Sequence, residues 1–215
     1  MARRSLKMVQ KDFVRNLGES RRLATDAYRW SLASAAGKSP LISRRRKDSL
    51  TELAFLRAFL AWEAFLEESF ILYLAGASPP LGRPPKRYAF PPNQQIAMDW
   101  VIPEGDRYAK WTIAAAVSNR AERFFRAGRP FTPVLRSNQN VLEDARILRN
   151  AIAHASISTQ QKFETLVRAK LGTLPPNVNV GGFLSMTVPS SSPPSSFLEF
   201  YFSKVEFAAR QIVPT

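Results

Sequence analysis

A single histidine stands in this chain of 215 residues: His154, five positions after Arg149 and four after Asn150. These three residue types together can work on a phosphodiester. Histidine titrates near neutral pH and can take or give a proton. Arginine stays charged and binds phosphate through parallel hydrogen bonds. Asparagine can orient a hydroxyl or a phosphate oxygen. If the nucleophile is the neighbouring 2′-hydroxyl of RNA, cleavage requires no metal. It requires a proton acceptor, a proton donor and a cation facing the developing charge. One chain supplies one histidine, so a histidine base and a histidine acid in one site would need two chains. The plainer alternative is a structural histidine near a helix C-terminus, where the dipole favours the protonated ring.

The element that must carry these residues is 137–156, reading SNQNVLEDARILRNAIAHAS. Ser137 or Asn138 can cap it, and Glu143 and Asp144 lie in its N-terminal half, as a helix start prefers. At about 100° per residue, Val141, Ala145, Leu148 and Ile152 share one stripe and are predicted to face the core. Ile147, Asn150, Ala151 and His154 form a second, mixed stripe, with Arg149 between the two. A monomer would leave the apolar pair Ile147 and Ala151 in water beside the polar groups. A two-fold axis would cover them with their own copies and bring two His154 side chains together, so the pattern predicts a symmetric homodimer through this face.

Composition sets the outer limits. Lys and Arg number 31 against 17 Asp and Glu, a formal charge of +14. Such an excess favours a polyanionic partner: nucleic acid first, an anionic membrane surface second. The chain has no cysteine, which excludes disulfides and thiolate metal sites, and one histidine excludes a multi-histidine zinc site. No metal and no cofactor are expected. The basic N-terminus has no apolar h-region, and Arg57, Glu63, Glu67 and Glu68 interrupt the most apolar run, so neither a signal peptide nor a membrane span is expected. The expectation is a cytoplasmic protein.

The remaining chain reads as helices between proline-rich connections. Residues 6–33 form a basic amphipathic helix on Val9, Phe13 and Leu17, weakened at Gly18. With the loop to residue 42 it is assigned as an N-terminal extension, and residues 43–215 as the main domain. Arg44, Arg45, Arg46 and Lys47 are either a solvated helix start or a phosphate-contacting patch. Residues 49–75 are apolar around most of the wheel and are predicted to lie centrally, ending at Gly76. Glu63 interrupts that surface. It is expected either to snorkel at an edge or to pair with an arginine, with Arg149 a candidate.

The connection 77–93 carries Arg83, Lys86, Arg87 and Tyr88, cations beside a stacking ring, which suit single-stranded nucleic acid as well as a packed crossover. Arg146, on the motif helix, joins these candidate contacts. Helices are predicted at 94–102 and 111–125, with Pro130 and Pro133 separating the second from the motif helix. Another runs over 159–171, capped by Ser156 or Ser158 and closed by Gly172. Residues 173–195 read as irregular. A last helix begins at Pro193 and Pro194 and runs to Ile212 with a dense apolar face. No strand is predicted, so the fold class is all-α.

Arg149-Asn150-Ala151-Ile152-Ala153-His154 resembles the Arg-polar-x-x-x-His signature of HEPN-domain ribonucleases. Ala61-Trp62-Glu63-Ala64-Phe65-Leu66 looks like the first bundle helix of that family, and Phe197 to Phe202 resembles the C-terminal helix of its RiboL-PSP-HEPN subgroup. The resemblance spans about residues 45–212. It implies an antiparallel helical bundle and a metal-independent endoribonuclease, active as a dimer, with Arg149, Asn150 and His154 catalytic and Glu63 supporting them. A toxin or defence role, with a neutralising antitoxin or system partner, is the family context. Two other classes stay open: a non-catalytic RNA-binding or interaction module on the same bundle, and a DNA-binding protein, which charge alone supports.

Overall fold

The structure, a computed structural model, describes residues 4–32, 39–102, 109–189 and 191–215. Its helices are α1 (Leu6–Ser31), α2 (Arg44–Leu74), α3 (Gln94–Val101), α4 (Ala114–Phe124), α5 (Phe131–Ser137), α6 (Gln139–Ala153), α7 (Ile157–Leu171), α8 (Val180–Leu184) and α9 (Phe197–Ile212). Among the described residues there is no strand, only the isolated bridges Arg87 with Phe125 and Thr187 with Ser196. The fold class is all-α, as expected. No helix among the described residues is long and apolar enough to cross a membrane. The expected stop at Pro103 and most of the expected loop at 34–42 lie outside the described residues.

Two compact units emerge. One comprises Met1–Val14, Ala61–Glu143 and Lys204–Thr215; the other comprises Arg15–Leu60 and Asp144–Ser203. The division does not follow residue 42, and the stretch assigned as an extension contributes to both units. The reason lies in its apolar stripe: Leu6, Val9, Phe13, Leu17 and Ala27 of α1 are all buried, which an appended helix would not achieve.

In the first unit, Phe13 packs against Trp62 and Phe65 of α2. Phe70 meets Trp111, Phe124, Phe125 and Phe131 in one aromatic cluster. α2 ends where its glycine predicts. Gly76 sits at φ 95°. Ala77 N donates to Leu72 O and Gly76 N to Tyr73 O, the paired bonds of a Schellman cap. α4 begins at Ala114, three residues later than the predicted 111, because Trp111 is used as a buried ring rather than a helical residue. Prolines 130 and 133 lie between α4 and α6 as expected, but that stretch also holds α5. Pro133 lies in the first turn of α5, where a missing N–H costs nothing, and Pro130 precedes that turn.

In the second unit, Phe163 meets Phe183 edge to face, Phe183 stacks on Phe197, and Phe55 meets the buried Tyr201. Arg21 of α1 forks onto Glu199 of α9, with its Nη2 2.9 Å from Oε1. α9 starts at Phe197 rather than at Pro193, because Ser196 Oγ accepts from Glu199 N and caps it there. Phe207, predicted on its apolar face, is 58% exposed.

The stretch 173–195, expected to be irregular, contains the buried helix α8. Its sequence, Val-Gly-Gly-Phe-Leu, is a poor helix former, and tertiary contacts hold it. Asn179 Oδ1 caps it at Gly182 N, Asn179 Nδ2 donates to Asp48 Oδ2, and Gly181 N donates to Glu52 Oε1 at 2.9 Å. Burial pushes the Glu52 carboxyl up, the Gly181 N–H bond opposes this, and the nearby Asp48 charge adds to the rise. Gly181 lies so close to α2 that a Cβ there would overlap the Asp48 carbonyl oxygen, whereas a Cβ at Gly18 would meet nothing.

Gly181→Ala is therefore expected to destabilise by about 2 kcal/mol or more, since backbone rather than a movable side chain must give way. At this chain length that lowers Tm by about 4–8 °C. Gly18→Ala, in mid-helix, should raise stability by up to about 1 kcal/mol. Thermal melts of the two variants check the pair; equal shifts would contradict the packing of α8 on α2.

Candidate active site

α6 spans Gln139–Ala153, beginning two residues inside the predicted 137–156 because Ser137 closes α5. Its core stripe is partly as expected. Ala145 and Leu148 are buried, joined by Leu142, while Val141 and Ile152 are half-buried. The motif residues occupy the last turn and the residue beyond it. Arg149 Nη1 donates to Asn150 Oδ1 at 3.3 Å. Arg149 is half-buried, with its Nε shut off from solvent. The guanidinium stem is thus held by packing, and its terminal nitrogen is turned toward Asn150.

His154 falls one residue past the end of α6, yet its backbone still belongs to that helix: His154 N donates to Asn150 O at 2.9 Å. The chain then reverses into α7. Thr159 Oγ1 donates to His154 O at 2.7 Å, and Ser156 N reaches the same carbonyl at 3.0 Å. Ser156 caps α7 at Thr159 N, and Thr159 returns a bond to Ser156 N, a reciprocal capping box. The serine expected to start α7 therefore also pins the histidine main chain. The imidazole itself is exposed, so His154 is not a packed core histidine.

Thr159→Val removes the hydroxyl and keeps the shape. It is expected to cost about 1 kcal/mol of stability through the lost cap. If the resemblance to HEPN ribonucleases holds, it should also lower RNA cleavage about tenfold, because a loosened His154 spends less time in reacting geometry. A melt and a cleavage time course on the same preparation test this. Wild-type cleavage with a lowered Tm would remove the anchoring role.

The second stripe is not bare. Ile147 and Ala151 are half-buried. Ile147 forms part of a shallow groove of about 340 Å³ with Ser158, Gln161, Lys162, Thr165, Leu166 and Ala169 of α7. This corrects the expectation of an uncovered strip: α7 folds back from the Ser156 cap and takes part of that face. The exposed apolar residue beside His154 is instead Ile157, at 80% exposure. Sequence reading passed it over because it lies between two capping serines.

The other candidates are distributed over both units. Glu63 lies in the first unit, half-buried in α2 with Oε1 shielded from water, while Arg149 lies in the second. Arg44, Arg45 and Arg46 are exposed at the start of α2. Arg44 and Lys47 line a groove of about 360 Å³ with Tyr28 and Ser185. Tyr28, 57% exposed beside these cations, was overlooked because it follows the buried Ala27 on what reads as a core stripe.

Arg83 and Lys86 are exposed, and Arg146 is half-buried on α6. Arg87 takes the packed-crossover alternative. Its Nη1 donates to Leu74 O at 2.7 Å, capping α2, and its guanidinium lies 4.9 Å from the Phe90 ring. It also packs under Gly76, so it is a structural cation of the crossover. Among the described residues no three His, Cys, Asp or Glu side chains gather in a group that could hold a metal ion.

Compared with protein-family models, with curated proteins and with solved structures, the chain matches none. The resemblance to HEPN ribonucleases therefore rests on the residues quoted for it.

Proposed function

We propose that this protein is a metal-independent endoribonuclease of the HEPN type, acting on RNA in the cytoplasm. The observation that carries the reading is the end of α6. An arginine and an asparagine bonded to each other sit one turn before an exposed histidine whose main chain is tied down on both sides. That arrangement supports the following chemistry. One histidine removes the proton from a 2′-hydroxyl, whose oxygen attacks the adjacent phosphorus. The 5′-oxygen leaves and takes a proton from the second acid. Arg149 faces the charge that develops on the non-bridging oxygens, and Asn150 orients the attacking group or the phosphate. The products are a 2′,3′-cyclic phosphate and a free 5′-hydroxyl.

A single chain has one histidine, so the second proton carrier is a second copy of His154 in a homodimer. The family context adds a toxin or defence role with a neutralising partner. The net charge of +14 supports a polyanionic substrate.

Incubation with RNA and with DNA in EDTA tests the reading. RNA fragments ending in 2′,3′-cyclic phosphate, with DNA left intact, are the expected result. Binding of RNA without cleavage would turn the assignment to a non-catalytic module, and equal retention of DNA would reduce it to charge.

A further inference from the structure

A cleft with no α6 residue in its lining lies within the unit that contains Ala61–Glu143 and Lys204–Thr215. It has a volume of about 620 Å³, within the range of small-molecule sites. Four cations line it: Arg83 and Lys86 from the connection after α2, and Arg126 and Arg129 from the turn before α5. All four are exposed. No Asp or Glu lines the cleft, and none of the four forms an ion pair with a carboxylate among the described residues. Elsewhere in the same unit arginines find acids: Arg136 pairs with Glu122 and Arg210 with Glu206.

The walls between these cations are apolar and stiff. Prolines 84 and 85 stand on one side, Pro130 and Pro133 on another, and Pro214 at the C-terminal edge, with the Tyr73 ring among them. Backbone bonds join the walls. Arg126 N donates to Lys86 O at 2.8 Å, Leu81 N to Pro214 O at 3.2 Å, and Tyr73 Oη to Ile212 O at 2.8 Å. The turn that presents Arg126 and Arg129 is strained: Ala127 is held at φ 54°, a left-handed conformation that costs a non-glycine residue about 1 kcal/mol. The buried Gly128 beside it, at φ 63°, has no room for a Cβ against Thr132. Strain of this kind persists where surrounding structure enforces it.

Four unneutralised charges around a concave apolar floor focus a positive potential into it. They match a ligand with several negative charges, and the proline walls match a flat apolar body. We infer that this cleft binds a nucleotide, with its phosphates between Arg83, Lys86, Arg126 and Arg129 and its base against the prolines. The nucleotide is either a free nucleoside triphosphate or a unit of a single-stranded RNA. The inference does not depend on cleavage at His154.

The test uses the full chain carrying His154→Ala, so that no RNA is cut. ATP, GTP, inorganic triphosphate and a five-nucleotide single-stranded RNA are titrated by calorimetry. Nucleotide binding at least about tenfold tighter than inorganic triphosphate is expected, from the base on the apolar walls. Arg126→Glu with Arg129→Glu should weaken binding by tenfold or more, the worth of charge-assisted bonds. Lys86→Ala, whose side chain makes no bond to the described fold, serves as a second variant should the double one misfold by circular dichroism.

Preference for the triphosphates identifies a free nucleotide, and preference for the oligonucleotide identifies a strand; both uphold the site. Inorganic triphosphate binding as well as ATP, no binding of any probe, or variants that bind like the parent would overturn it. If the wild-type chain cuts no RNA but the cleft still binds, the nuclease reading fails and this one stands.

Discussion

Replacing His154 with alanine is expected to lower RNA cleavage by about 10²–10⁴-fold, the usual worth of a positioned acid or base. The fold should be untouched, because the imidazole is exposed and the contacts at this residue run through its backbone N and O. Arg149→Ala is expected to cost a similar factor by removing the cation proposed to face the phosphorane. It should also cost some stability, since Arg149 is half-buried and its methylenes pack. Arg149→Lys keeps the charge but loses the fork, so it should recover only part of the rate. Asn150→Ala should be the mildest of the set, since it orients rather than transfers protons. Initial rates on one RNA, with circular dichroism on each variant, decide the matter. A well-folded His154→Ala protein with wild-type rate would dispose of the assignment.

On the proposed shared-site reading, Ile147→Asp is expected to abolish cleavage and to separate the proposed dimer in the same step. Ile147 lines a shallow groove with residues of α7 and lies on the helix face that also carries Asn150 and Ala151. A carboxylate there would be duplicated across a two-fold axis, setting like charges against each other in a partly dry contact. Ile157→Asp, at the exposed apolar residue beside His154, should act in the same direction. It should affect the fold less, because 80% of its surface already meets water. Light scattering and cleavage measured on the same samples test this. A fully active monomer would end the shared-site proposal. Loss of cleavage in an intact dimer would mean that Ile147 supports its own chain rather than a partner.

Local physics made much of this protein legible in its residues. The Schellman cap at Gly76, the left-handed stop at Gly172 and the Ser156 cap of α7 are each decided within a turn of helix. The sequence therefore determined where those helices end, along with the all-α class and the placement of Arg149, Asn150 and His154 at one helix end. The stripe of α1 at Val9, Phe13 and Leu17 is buried as predicted, because a 3.6-residue period must turn one face inward.

What the sequence could not determine was settled over long separations. α8 exists because Asp48, Glu52 and Asn179 receive a segment whose two glycines would not hold a helix alone. Arg87 reads as a loop cation, yet it caps α2 through a carbonyl 13 positions back. Ile147 is half-covered because the α7 cap turns the chain back onto it. The four cations of the proline-walled cleft come from segments some 40 residues apart, each resembling an ordinary solvated charge run. Only the tertiary fold, by bringing their backbones into hydrogen-bonding distance at Lys86 and Arg126, makes them one site. A helix boundary depends on neighbours four residues away, whereas a site depends on which distant segments share a wall, and periodicity carries no record of that.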